Sequence, residues 1–125
     1  MNAHTASARP VVLLVEDEPF IRMATADALE EAGFEVVETV DAQAAQEVLL
    51  RRTDIRVLFT DVRMPGPMDG LALASFVRSR WPHISVVITS GHLEPGSATM
   101  PEEAVFLAKP YGDQAPARAI RSLLE

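Results

Sequence analysis

The stretch LLVEDEP, from Leu13 to Pro19, runs from an apolar segment directly into three adjacent carboxylates. The aliphatic residues before Glu16 are typical of a strand that is buried on both faces of a parallel sheet. Pro19 is typical of the first turn of a helix, so the three acids occupy a tight turn between a strand and a helix. Because carboxylates this close repel one another, the stretch predicts a cation nearby.

Short aliphatic runs alternate with helical patterns along the rest of the chain. The helical segments carry apolar residues three and four positions apart, which gives each segment one apolar face. This alternation predicts an α/β fold: a doubly wound five-stranded parallel sheet with right-handed crossovers and the strand order 2-1-3-4-5. The predicted strands are Val11–Val15, Glu35–Val40, Val57–Thr60, Ser85–Thr89 and Ala104–Ala108.

Length and composition set limits on the function. A chain of 125 residues with 48% hydrophobic content can close one core, so we expect a flexible tail over residues 1–9 and one domain over residues 10–125. The net charge of −7 argues against direct binding to nucleic acid or to an anionic membrane, since both require a basic surface. The sequence contains no apolar run long enough to cross a membrane and no secretory signal, which favours a cytoplasmic protein.

The predicted fold brings acidic residues together. A sheet of this order binds ligands at the carboxyl ends of strands one and three, where the winding reverses. Glu16 and Asp17 follow strand one and Asp61 follows strand three, so three carboxylates should share a pocket. Oxygen ligands of this kind suit Mg²⁺, which keeps several waters and accepts phosphate oxygens. A structural role is the alternative, because the first acids could complement the helix dipole and Asp61 could form a turn.

Two further polar residues, Thr89 and Lys109, stand at the ends of the fourth and fifth predicted strands. Each could be ordinary, since threonine suits strands and a lysine at a strand end usually reaches water. Lys109 is, however, the only lysine beside ten arginines, and its compact ammonium acts as a point charge on a flexible stem. The positive charges of Lys109 and Mg²⁺ would together balance the negative charges of three carboxylates. In such a neutral site an aspartate could accept a phosphoryl group.

Four segments occur in the order, and at nearly the spacing, of a known family: LLVEDEP, FTDVRMPGPMDG, VVITSG and FLAKPY. From about Pro10 onward the sequence resembles the receiver domain of two-component response regulators, which has the flavodoxin-like fold. The resemblance implies that Asp61 accepts a phosphoryl group from a sensor histidine kinase or a histidine phosphotransferase. It also implies a phosphoacceptor switch that assists its own phosphorylation and dephosphorylation and is not otherwise an enzyme. The sequence does not name a downstream partner, and it leaves a homodimer open.

The resemblance also assigns roles to single residues. Lys109 would pair with phosphoryl oxygens, and Thr89 would donate its hydroxyl to one of them. Phe106 falls at the aromatic switch position, although it could equally be a core residue. The Lys109–Pro110 peptide bond is expected to be cis. The metal ligands that the resemblance implies are Glu16, Asp17, Asp61 and the backbone carbonyl of Arg63.

The sequence departs from the family in several places. Gly66 and Pro67 stand where the family usually has one residue, so the metal loop is expected to differ in shape. Arg63 and Gly91 occupy positions that tune the lifetime of the phosphorylated form, so that lifetime cannot be predicted. The chain ends at Glu125 with its last helix, as expected for a stand-alone receiver or for the receiver of a hybrid kinase.

The family usually places a full helix, its fourth, between strands four and five. Here Pro95, Gly96 and Pro101 fall in that segment. An interior proline costs a helix about 3 kcal/mol, and a glycine costs about 1 kcal/mol relative to alanine. We therefore expect the fourth helix to be short or irregular, with His92 and Leu93 partly exposed.

Three other classes of protein share parts of this pattern. A haloacid-dehalogenase-like phosphatase also uses a strand-end aspartate and Mg²⁺, but it needs a second acid where Arg63 stands. A flavodoxin-like FMN carrier would need hydroxyls and amides after the first strand, where the carboxylates would repel the phosphate. A degenerate receiver that acts only as a docking module is the closest alternative. Such a module does not need all five of the polar residues at the strand ends, which are Glu16, Asp17, Asp61, Thr89 and Lys109.

Overall fold

Strands and helices alternate along the chain, as the sequence predicts. The computed structural model describes residues 9–91, 101 and 103–125. The strands are β1 (Val11–Val15), β2 (Glu35–Thr39), β3 (Ile55–Asp61), β4 (Ser85–Ser90) and β5 (Val105–Ala108). The helices are α1 (Pro19–Glu31), α2 (Ala42–Arg51), α3 (Gly70–Arg80) and α4 (Ala115–Leu124).

The strands form one parallel sheet in the order β2-β1-β3-β4-β5. This order confirms the predicted doubly wound fold. Val15 of β1 is opposite Thr60 of β3, and Asp61 of β3 is opposite Thr89 of β4. The three central strands therefore end at the same edge of the sheet.

The core consists of two apolar clusters, one on each face of the sheet. Because successive side chains of a strand point to opposite faces, Leu13 joins the cluster beneath α2 and α3 whereas Leu14 joins the cluster beneath α1 and α4. Every residue of β1 is buried. Burying one such aliphatic side chain contributes about 1.5–3 kcal/mol, so packing on both faces holds the central strands in place.

Carboxylates fix the starts of α1, α2 and α3. Glu18 accepts hydrogen bonds from the backbone N–H groups of Phe20 and Ile21 at the start of α1. Asp41 and Asp69 each accept one such bond, at the starts of α2 and α3. A cap of this kind is worth about 1 kcal/mol. Glu18, the third acid of the LLVEDEP stretch, therefore serves as a helix cap.

Two predictions fall outside the described residues. The short or irregular fourth helix, with His92 and Leu93, concerns residues 92–100 and 102, which the structure does not describe. The same holds for residues 1–8 of the predicted tail. Among the residues that are described, no helix is both long enough and apolar enough to cross a membrane.

Candidate functional site

Two carboxylates and the single lysine meet at the carboxyl edge of the sheet. Glu16 follows β1, Asp61 ends β3, and Lys109 follows β5. The Nζ atom of Lys109 lies 2.8 Å from Oε1 of Glu16 and 3.0 Å from Oδ2 of Asp61. Both carboxylates are buried, so the ammonium offsets a repulsion that solvent screens only weakly.

Asp17 completes a group of three carboxylates. Glu16, Asp17 and Asp61 each offer one carboxylate oxygen, and these oxygens lie within 4.8 Å of one another. Asp17 is exposed whereas the other two are buried, so the group is open to solvent on one side. Three carboxylates and one ammonium leave an excess of two negative charges. That excess and the hard oxygen donors fit a divalent cation such as Mg²⁺, which binds through a few carboxylates and keeps other positions open.

Two contacts with the backbone fix the position of Glu16. Its Oε2 atom accepts a hydrogen bond from the N–H of Glu18 at 3.1 Å, and its carbonyl oxygen accepts one from Nη1 of Arg22 at 2.9 Å. Arg22 also forms an ion pair with Glu38 of β2 at 3.4 Å. Arg22 is a supporting residue that the sequence does not reveal, because nothing in its helical position indicates that it folds back onto the Glu16 carbonyl.

Burial and pairing shift the pKa values of the two charged partners. Burial raises the pKa of Glu16, and the hydrogen bonds from Lys109 and from the Glu18 N–H offset only part of that rise. Burial acts to lower the pKa of Lys109, but its hydrogen bonds to Glu16 and Asp61 outweigh burial and raise that pKa. Lys109 therefore keeps its positive charge at neutral pH.

The Thr89 hydroxyl is buried beside Asp61. Thr89 is 1% exposed, and within the part of the chain that the structure describes its Oγ1 atom has no hydrogen-bond partner. Its backbone carbonyl accepts a hydrogen bond from the N–H of Val62 at 3.0 Å. Because a buried polar atom without a partner costs about 1–3 kcal/mol, the hydroxyl fits a ligand oxygen at this edge of the sheet.

Arg63, Gly91 and Phe106 are the remaining residues to which the resemblance assigns a position. Arg63 and Gly91 are exposed, and they line a cavity of about 340 Å³ together with the three carboxylates and Lys109. Phe106 does not line that cavity. Its half-buried side chain packs against the apolar cluster beneath α2 and α3, and its strand partner is Ile88 of β4. The core role of Phe106 is thus visible, while its switch role stays a prediction.

The loop between β3 and α3 accommodates its extra residue on the surface. Gly66 has a φ of +98°, a left-handed conformation that glycine adopts without strain, and its two proline neighbours are exposed. The start of α3 stays against β3, because the N–H of Gly70 donates to the Val62 carbonyl at 2.8 Å. A side chain at Gly70 would overlap the backbone carbonyl of Asp61. This loop is therefore held closely at its helical end.

The segment after Lys109 is tied to α1. The Lys109–Pro110 peptide bond is cis, as predicted. The next residue, Tyr111, has its hydroxyl 2.8 Å from Oγ1 of Thr25, and its ring packs edge-on against Phe59 with centroids 6.2 Å apart. The sequence does not reveal this contact, because Thr25 and Tyr111 are 86 positions apart.

Tyr111 is the only tyrosine, so its ionisation can be followed by near-ultraviolet absorbance. Burial raises its pKa, and the hydrogen bond with Thr25 offsets part of that rise. We expect the phenolate to appear at a higher pH in the folded protein than in urea, where the pKa is about 10. Because the folded pKa is raised, the associated stability is present below the unfolded pKa and is lost as pH rises through the folded pKa. Coincident titrations in the two states would contradict the burial of the Tyr111 hydroxyl.

Comparisons with known proteins find relatives over most of this chain. The family model for the response regulator receiver domain matches residues 12–121. The response regulator protein FleR of Pseudomonas aeruginosa is 38% identical over 103 residues, which cover 80% of this chain and 21% of that protein. The sensor kinase CckA of Brucella abortus is 33% identical over 128 residues, which cover 99% of this chain and 13% of that protein. The chain thus spans less than a quarter of either relative.

Solved structures of similar size share the fold. The response regulator receiver protein from Sinorhizobium medicae WSM419 superposes with a TM-score of 0.85 at 28% identity, covering 94% of this chain and 95% of that one. The receiver domain of the hybrid histidine kinase CckA superposes with a TM-score of 0.78 at 29% identity, covering 92% of this chain and 99% of that one.

Proposed function

Because the chain belongs to the family of response regulator receiver domains of two-component systems, we propose that Asp61 is its phosphoacceptor. The donor is the phosphohistidine of a sensor histidine kinase or of a histidine phosphotransferase. The observation that carries this proposal is the ion pair between buried Asp61 and half-buried Lys109, whose Oδ2 and Nζ atoms are 3.0 Å apart. This pair supports the proposal, because a carboxylate nucleophile at Asp61 would have beside it a cation that can bind the phosphoryl oxygens.

The transfer exchanges one bond to phosphorus for another. A carboxylate oxygen of Asp61 forms a bond to phosphorus while the bond from phosphorus to the donor imidazole nitrogen breaks, and that electron pair returns to the imidazole. The Lys109 ammonium binds one phosphoryl oxygen, and the Thr89 hydroxyl donates to another. The lack of an acceptor for Thr89 Oγ1 among the described residues supports this assignment, since the phosphoryl group supplies one.

The acidic group fits a metal ion, and we assign it to Mg²⁺. The carboxylates of Glu16, Asp17 and Asp61 would hold the ion, with the backbone carbonyl of Arg63 as the further ligand that the family resemblance implies. When bound, Mg²⁺ supplies positive charge that offsets the charge on the phosphoryl oxygens. Glu16 stays in place through its contacts with Lys109 and with the Glu18 N–H, so the pocket is arranged before the donor arrives.

Mg²⁺ should stabilise the folded protein. A ligand that binds only the folded state stabilises it by mass action, by about 2.7 kcal/mol when its concentration is 100 times Kd. We expect Tm to rise with added Mg²⁺ in the wild type and to rise less in Asp17→Asn, which changes one exposed ligand. Asp27→Asn, with the same change at an exposed position in the third turn of α1, is the control and should respond like the wild type. A wild-type Tm that does not depend on Mg²⁺ would count against the metal site.

We propose that the chain works as a cytoplasmic phosphoacceptor switch, which assists its own phosphorylation and dephosphorylation and does not turn over a separate substrate. Phosphorylation of Asp61 changes the contacts of Thr89. The half-buried Phe106 transmits that change to the protein surface. A downstream protein then reads that surface. These roles are supported by the family and by the position of Phe106 against the core, opposite a residue of β4.

Intact-mass measurement after incubation with Mg²⁺ and acetyl phosphate tests the proposal. We expect the wild-type chain to gain the mass of one phosphoryl group. An unchanged mass would instead favour a degenerate receiver that acts only as a docking module.

A further inference from the structure

Thr60 lies immediately before Asp61 in β3 and is fully buried, with 0% of its surface exposed. Its Oγ1 atom is 2.9 Å from the backbone carbonyl oxygen of Asp61 and 3.6 Å from Sδ of Met64. A hydroxyl has one proton to donate, and a carbonyl oxygen is a much better acceptor than a thioether. The proton of Thr60 therefore goes to the carbonyl of Asp61.

The peptide group that joins Asp61 to Val62 is held at both of its ends. The Thr60 hydroxyl donates to the carbonyl oxygen of Asp61. At the other end of the peptide group, the N–H of Val62 donates to the carbonyl of Thr89 at 3.0 Å. Beyond it, the carbonyl of Val62 accepts from Gly70 at 2.8 Å. The backbone of Gly70 also leaves no room for a side chain against the Asp61 carbonyl. This peptide group therefore has little freedom to rotate.

The carbonyl carbon held in this way is bonded to the Cα atom of Asp61, from which the side chain leaves the strand. If that carbonyl group were free to shift, the Cα atom and the carboxylate would shift with it. The carboxylate must keep its distance of 3.0 Å from Lys109 while one of its oxygens attacks phosphorus. Reactions of this type depend steeply on alignment, because a displacement of about 1 Å can cost a hundredfold in rate.

We propose that Thr60 is a positioning residue for phosphoryl transfer, whose hydroxyl fixes the backbone carbonyl of Asp61. The inference rests on the proposed role of Asp61 as phosphoacceptor. The alternative is that the hydroxyl only satisfies a buried carbonyl. In that case its removal lowers stability but leaves the chemistry of the folded protein intact.

Three variants separate these roles. Thr60→Val removes the hydroxyl and keeps the branched shape, whereas Thr60→Ser keeps the hydroxyl. Thr39→Val is a matched control, because Thr39 is also buried and its hydroxyl donates to the backbone carbonyl of Leu14 at 2.9 Å. For each variant, the rate of phosphorylation is measured against acetyl phosphate concentration in Mg²⁺ and expressed per folded molecule. Urea unfolding gives the stability.

We expect Thr60→Val to lower the maximal rate about tenfold. This effect is larger than that of losing a single hydrogen bond and smaller than the hundredfold loss that a displacement of about 1 Å can cause. The acetyl phosphate concentration that gives half of the maximal rate should not change, since the hydroxyl does not contact the donor. Thr60→Ser should restore most of the rate. Thr39→Val should lose comparable stability and still be phosphorylated at the wild-type rate.

A Thr60→Val protein that is phosphorylated as fast as Thr39→Val would overturn this inference and leave the proposed function standing. An unlabelled wild type would overturn the proposed function, and this inference with it. If Thr60→Val does not fold, Thr60→Ala removes the same hydroxyl with less bulk, and the comparison with Thr60→Ser gives the answer.

Discussion

Replacing Asp61 with asparagine should abolish phosphorylation by acetyl phosphate. The amide is nearly the same size as the carboxylate, so we expect the fold to persist, but a neutral amide oxygen is a poor nucleophile and a weaker metal ligand. Intact-mass measurement should show no added phosphoryl group under conditions that label the wild type. This is the largest effect that we expect on function, because no other carboxylate of the acidic group ends a strand beside both Lys109 and Thr89.

Asp69→Asn is the matched control for this experiment. Asp69 lies in the loop that follows Asp61, is exposed, and caps α3 through a hydrogen bond to the N–H of Ala72. Asparagine caps helices about as well as aspartate, so this variant should fold and be labelled like the wild type. If Asp61→Asn were labelled to the wild-type extent, the phosphoacceptor would have to be another residue.

Replacing Gly70 with alanine should have the largest effect on stability. Alanine would normally favour a helix by about 1 kcal/mol over glycine. At Gly70, however, the new methyl group would overlap the carbonyl oxygen and carbonyl carbon of Asp61. These atoms belong to the central strand β3, which is packed on both faces, so neither side can move cheaply. We expect a loss of about 3 kcal/mol or more in the free energy of unfolding, at the upper end of overpacking effects.

Urea denaturation measures this loss, and Gly112→Ala is its control. A side chain at Gly112 would meet no atom within 4 Å, and its φ does not require glycine. That variant should match the wild type or gain about 0.4–1 kcal/mol from reduced freedom of the unfolded chain. Unfolding of Gly70→Ala at the wild-type urea concentration would show that α3 is not held against Asp61 in solution. The folded fraction of Gly70→Ala should also be phosphorylated slowly, because the displaced atoms belong to Asp61, the proposed phosphoacceptor.

The sequence is informative where topology alone brings residues together. The order of the parallel strands places the residues after β1, β3, β4 and β5 at one edge, so Glu16, Asp61 and Lys109 could be expected to meet before any distance was known. Composition adds weight to Lys109, the only lysine in the chain. Both signals are properties of the chain as a whole, so they hold when a strand boundary is wrong by a residue or two. The third strand, for example, begins at Ile55 and not at the predicted Val57.

The supporting contacts are not predictable in the same way. Glu18 looks like the other acids of its turn, yet it caps α1, whereas Glu16 and Asp17 belong to the group of three carboxylates. Thr60 matches the pattern of an ordinary strand residue, and only its position relative to the Asp61 carbonyl shows another use. The contact between Thr25 and Tyr111 depends on how two distant segments pack. Such contacts follow from angles and distances within the folded state, which periodicity does not encode.

The three N–H donors of the Lys109 ammonium affect how a phosphoryl group can bind at the site. An ammonium carries three N–H donors arranged as a tripod, and two of them account for the bonds to Glu16 and Asp61. The third donor has no acceptor among the described residues. An incoming phosphoryl oxygen can therefore add to the existing contacts without displacing either carboxylate. A guanidinium, with its donors confined to one plane, could not reach three oxygens in three directions, which gives a stereochemical reason for one lysine among ten arginines.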